Sequence, residues 1–128
     1  MENERTVALF GQAEKGLYYT PILCHTLPQL VNNMGQAPSG SLGIFYAVQS
    51  LLRHYSLLYF RVEEEGYSRQ DYLVGLKILS SQKVVPISAL FMPGVSSKEV
   101  IETGIETCRL HHSLLIMSEY DLYDYLTA

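Results

Sequence analysis

Apolar and polar positions along this chain switch between two periods. Short apolar runs at residues 57–62, 84–92 and 114–117 each end in a polar turn, and each turn leads into a stretch with apolar positions three and four apart. A Ser with an acid three residues later stands at every junction: Ser68 with Asp71, Ser96 with Glu99, Ser118 with Asp121. Ser followed at that spacing by Glu predicts a capping box, in which each side chain satisfies a free backbone N–H of the first helical turn. Asp in the same place suits the positive helix end. Strand, turn and capped helix, repeated, is how a parallel sheet with crossover helices is built.

The remaining segments fit the same plan. Residues 6–10 make a first β-prone run, closed by Gly11, with a loop over 11–16. Residues 17–24 stay open between an edge extension and an ordered loop, because Pro21 speaks against a central strand. Thr26 is the expected N-cap of a first helix, with Pro28 in its first turn, a stripe of Leu27, Leu30, Val31 and Met34, and Gly35 as its stop. After a Pro-, Ser- and Gly-rich loop over 36–43, with Ser41 as cap, Ile44, Val48, Leu51, Leu52 and Tyr55 form a second stripe. The third helix, from about residue 69 to 79, should bury Tyr72, Leu73, Leu76 and Leu79. The fourth, after Ser96 or Ser97, should bury Val100, Ile101, Ile105 and Cys108, and the last, over 119–126, Leu122, Tyr125 and Leu126. His54 and the His111-His112 pair should close the second and fourth helices, where cations suit the dipole. The expected fold class is α/β: a small Rossmann-like three-layer α/β/α domain with a four-stranded parallel sheet, one domain over residues 1–128.

Composition narrows the function classes. Hydrophobic residues are 48% of the chain, which is a globular content. Net charge is −4 and the nine Lys and Arg are scattered, so there is no basic stripe for nucleic acid and none for an anionic membrane surface. No apolar run reaches the ~18–20 residues of a membrane span. Residues 1–6 lack the positive, apolar start of a secretory leader, and a cytoplasmic location is expected. Cys24 and Cys108 are expected as reduced, buried thiols.

In open α/β sheets ligands bind beyond the carboxyl ends of the strands. The loops at 11–16, 63–68, 93–97 and 118–121 would form that rim. The Glu63-Glu64-Glu65-Gly66 run is its sharpest oddity: carboxylates crowded at a strand end are suited to acid–base work or to attack on an anomeric carbon. Candidate catalytic groups are Glu65 and Glu14, and candidate ligand contacts are Gln12, Lys15, Arg61, Tyr67, Ser96 and Glu119. Arg61 is expected to pair with a neighbouring Glu or to hold an anion bidentately. Helix N-termini at the rim suit anions, while the carboxylates there suit hydroxyls, cationic groups or a divalent ion.

Several motifs are missing or incomplete. Gly11-x-x-x-x-Gly16 is neither a P-loop nor Gly-x-Gly-x-x-Gly, and no Gly-x-Ser-x-Gly elbow occurs. Cys24-His25 and Cys108-x-x-His111-His112 have zinc-ligand residue types without a Cys-x-x-Cys knuckle, so no metal site is assigned. Ten Tyr and no Trp is a marked bias. Tyr46, Tyr59, Tyr72 and Tyr125 fall at core-facing positions, and Tyr18, Tyr19, Tyr67, Tyr120 and Tyr123 nearer the surface.

The layout resembles compact Rossmann-like modules that handle nucleosides or their sugars, in arrangement only, and no motif carries a residue over. The leading expectation is a domain that binds a small polar metabolite or nucleotide at the strand ends. The alternatives are a homo-oligomeric interaction module, such as a homodimer through Tyr-bearing helices, and a nucleoside-type hydrolase or glycosyl transferase using a carboxylate. The sequence names no cofactor.

Overall fold

The computed structural model describes residues 5–81 and 85–127. The elements run β1 (Thr6–Gly11), β2 (Ile22–Cys24), α1 (Leu27–Met34), α2 (Gly43–Leu52), β3 (Ser56–Arg61), α3 (Arg69–Ser81), β4 (Ala89–Phe91), α4 (Lys98–His111), β5 (Leu114–Ile116) and α5 (Glu119–Thr127). They make a mixed α/β molecule around one five-stranded sheet of order β2-β3-β1-β4-β5. β1 lies parallel to β3, from Thr6 opposite Ser56 to Gly11 opposite Arg61, and parallel to β4 on its other side. β5 continues the parallel series beyond β4.

The expected sheet of four strands is corrected by β2, which pairs antiparallel with the outer side of β3, Ile22 opposite Tyr59 and Cys24 opposite Leu57. Three residues are too few to show a period, and Pro21 stands just before the strand, where its missing N–H breaks no ladder bond. Val84, at the start of the apolar run before β4, lies outside the described residues, as do residues 1–4 of the leader reading.

Strand alternation divides the core into two. Ala8 and Phe10 of β1 and Leu58 and Phe60 of β3 point to the face covered by α3 and α4; Leu9, Leu57 and Tyr59 point to the face covered by α1 and α2. Phe10 and Phe60 stack at 4.4 Å, and Tyr72 of α3 lies 5.5 Å from Phe10. Cys24 and Cys108 are both buried but belong to opposite cores.

Some positions expected inside are not. Val31, Leu52, Ile105, Leu122 and Leu126 are exposed, and Gly104 and Thr107 take the buried face of α4. A helical stripe is wider than the line of contact, and only the part that meets the sheet is covered. Among the described residues, no helix is long and apolar enough to cross a membrane.

The caps also differ from expectation. A capping box does form at Thr26 and Gln29, on α1. Of the three Ser–acid junctions, Ser118 alone accepts from a helix N–H, that of Asp121 at 3.1 Å. Ser68 turns back to the N–H and C=O of Glu64. Ser97 stands at the N-cap of α4 without a side-chain bond, and Glu99 pairs with Arg69 at 2.6 Å. Asp71 accepts from the N–H of Glu63 and Asp121 from that of Gly94, so two of the three acids tie loops together instead of closing a box. Ser41 does not cap α2, whose N-cap is Leu42.

Candidate functional site

The cap that α2 lacks locally comes from the β3–α3 loop. Glu65 reaches the first turn of α2 and accepts from Leu42 N at 2.8 Å through Oε1 and from Gly43 N at 2.8 Å through Oε2. Oε2 also accepts from Gln12 N at 2.9 Å, and the Gln12 side chain returns a bond to Glu65 N at 3.0 Å. The Tyr59 hydroxyl beneath them donates to Gln12 O at 2.8 Å. Burial, with the Glu65 charge beside it, holds the Tyr59 phenol well above its ordinary range. This seat needs two glycines. A Cβ on Gly11 would lie 2.6 Å from Gly43 Cα and 2.9 Å from Glu65 Oε2, so the backbones cross with no room for a side chain.

Beside the seat a cleft of about 390 Å3 opens at the carboxyl edge of the sheet. Its wall is made by Leu42 and Tyr46 of α2, by Glu65, Gly66 and Tyr67, by Phe91, Pro93, Gly94 and Ser96 after β4, and by Ser118, Tyr120, Asp121 and Asp124 at the start of α5. The chain leaves β1 towards β3 on one side and returns to β4 on the other, so the cleft borders a switch in strand order. Gly66 and Gly94 have φ of +87° and +84° and bring their two loops into backbone contact. Gly94 N donates to Asp121 Oδ2 at 2.9 Å, and Gly66 N to the Tyr72 hydroxyl at 2.8 Å. Burial raises the Tyr72 phenol as well. The rings of Tyr46 and Phe91 pack 4.7 Å apart, and Phe45 meets Tyr46 edge-on at 5.3 Å. A wider depression over α4 is open to solvent and lined by Glu99, Glu102 and Glu106 without an aromatic ring, which is the form of a solvated helix face.

The structure brings Glu65, Tyr67 and Ser96 to this cleft. Gln12 stands behind it, holding Glu65. Glu14 is elsewhere: its Oε1 accepts from Gln36 N at 2.8 Å and pins the loop after α1. Lys15 N bonds to Met34 O in the same corner. Arg61 does not pair with the Glu63–Glu65 run. It donates to Gly16 O at 2.6 Å and Glu14 O at 3.4 Å, and its guanidinium lies 4.4 Å from the Tyr18 ring centre. Glu119 is exposed at the first position of α5 and is not part of the cleft wall. The two candidate catalytic carboxylates are thus held by separate backbone amides and do not face one substrate position.

Tyr46, Phe91, Asp121 and Asp124 line the cleft without having stood out as site residues. Asp121 was legible as a rim residue, but its spacing from Ser118 reads as capping. His111 bonds to Leu79 O at 2.8 Å, and no three His, Cys, Asp or Glu gather in metal-holding range among the described residues. Compared with known proteins, the chain matches no family model, no curated protein and no solved structure.

Proposed function

We propose that this is a Rossmann-like binding domain whose cleft takes a small polar metabolite between the β3–α3, β4–α4 and β5–α5 loops. The observation that carries the reading is the concavity itself: about 390 Å3, at the carboxyl edge, walled by aromatic rings with a few placed polar groups. That size and lining are those of small-molecule sites. A nucleotide phosphate fits less well than the body of a nucleoside. Glu65 already fills the α2 N-terminus, and none of the cleft residues is Lys or Arg. The catalytic use of Glu65 is also the weaker version, because three amides claim its oxygens.

Ligand screening by thermal shift against nucleosides, sugars and amines tests this. A binder should raise Tm in the parent and not in Ser96→Trp, which fills the cleft from a half-buried position. Equal shifts in both proteins would move the site elsewhere.

A second reading, a homodimer, rests on β5. It is an edge strand whose outer side pairs with no strand among the described residues, Leu114 is 73% exposed, and Leu122, Tyr123 and Leu126 of α5 are exposed nearby in sequence. Two copies joined edge to edge about a two-fold axis would satisfy the same backbone groups and cover the same side chains on each. Sedimentation should then give a dimer that Leu114→Glu converts to monomer. A monomeric parent at high concentration would end this reading.

A further inference from the structure

We infer that the ligand of the cleft is an organic cation, a protonated or quaternary amine carried on a small apolar body. The inference rests on the reading of the cleft as a small-molecule site and adds the charge of what it takes. One support is an unmatched counter-charge. Asp121 lines the cleft, its Oδ2 is engaged by Gly94 N, and its Oδ1 takes no hydrogen bond from a described residue and is not shut away from solvent. None of the wall residues is Lys or Arg, so no side-chain cation of the wall answers that charge. Asp124, one turn along, adds a second charge to the same wall. Glu65 adds little, because its charge is spent on the α2 N-terminus.

An independent support is the wall chemistry. Tyr46 and Phe91 form a half-buried pair of rings, and Tyr67 of the β3–α3 loop and Tyr120 of the first turn of α5 flank the opening, 77% and 74% exposed. Ring faces attract cations, most strongly where the cation leaves water, and this combination of rings with a nearby carboxylate is how ammonium groups are held. An anion would meet carboxylates and ring faces there, both repulsive. A neutral ligand would leave Asp121 Oδ1 without a charged partner.

The test is an amide-shift NMR titration with matched pairs: choline against its uncharged tert-butyl analogue, and tyramine against tyrosol, with adenosine monophosphate as the anionic arm. The charged member of each pair is expected to move the Gly66, Gly94 and Asp121 amides and to bind about tenfold tighter than its neutral partner. Asp121→Asn keeps an oxygen for Gly94 N and should lose about that factor. Asp124→Asn, whose carboxylate holds no hydrogen bond from a described residue, should weaken amine binding in the same direction in a fully folded protein. Neutral partners binding as tightly as the amines, or the nucleotide binding more tightly, overturns the cation and leaves the site standing. No movement of those amides with any probe overturns the site reading along with it.

Discussion

The two sides of the sheet's carboxyl edge are built from the same parts and end differently. Over β1 and β3, a carboxylate from one loop meets backbone N–H groups of two other segments, and every oxygen is used: Glu65 takes Gln12, Leu42 and Gly43. Over β4 and β5, a carboxylate again meets the backbone of a neighbouring loop, but among the described residues Asp121 takes only Gly94 N. The first arrangement is closed and holds the fold. The second is half-satisfied; both carboxylates line the same cleft, whose wall also carries aromatic side chains. A charged group at a rim is therefore not a site by virtue of its charge; what is left unmatched after the fold has taken its share decides.

The sharpest way to break that contrast is Glu65→Ala. It strips three amides of their acceptor, and stability to urea should fall by about 3 kcal/mol, allowing for water that reaches a half-exposed position. A loss under about 1 kcal/mol would mean that water replaces the carboxylate and that the two sides are alike. Next in size is Gly43→Ala. The added Cβ would lie 2.7 Å from Gly11 Cα and 2.9 Å from Glu65 Oε2, and about 2 kcal/mol should be lost as the crossing opens.

Alkaline pH probes the same ground. Burial raises Tyr59 and Tyr72 above the ordinary tyrosine value of 10.0, so above that pH the folded state holds protons the unfolded state has released. Stability is full below the unfolded value and is lost as pH rises beyond it, by about 1 kcal/mol per phenol for the first pH unit. Tyr72→Phe should flatten the urea midpoint against pH, and an unchanged slope would show that the ring is not the source. The smallest effect is on the open side. Asp121→Asn should change stability by under about 1 kcal/mol, since Gly94 N keeps an acceptor, while its effect on amine binding stays about tenfold. A large stability loss there would make Asp121 a second Glu65.

The parallel strands, the order of helices and the rim itself were legible because each rests on local signals: apolar β-prone runs at residues 6–10 and 57–62, helical spacing around Leu30, Met34, Leu76 and Leu79, and the Thr26 cap with Gly35 as stop. β2 was not, since it is three residues long and shares its stretch with Pro21. Ser118 caps its helix as expected, while the other Ser residues and the acids of the Ser–acid pairs misled for a definite reason. Spacing shows that an acid can reach the first turn of its own helix, and says nothing of whether a backbone N–H from another loop reaches it first, as Glu63 N does for Asp71 and Gly94 N for Asp121. The same holds for Glu65, which was visible as a rim carboxylate, while its partners 22 to 53 residues away were not.

The route by which α2 is capped also bears on how the chain assembles. Its own flanking residues offer no side-chain acceptor, and the group that completes its first turn belongs to residue 65, beyond a strand that must already lie against β1. During synthesis the helix emerges before the means of fixing its start. The start of α2 and the placement of the loop after β3 therefore stabilise each other, which ties a local helix to a distant contact.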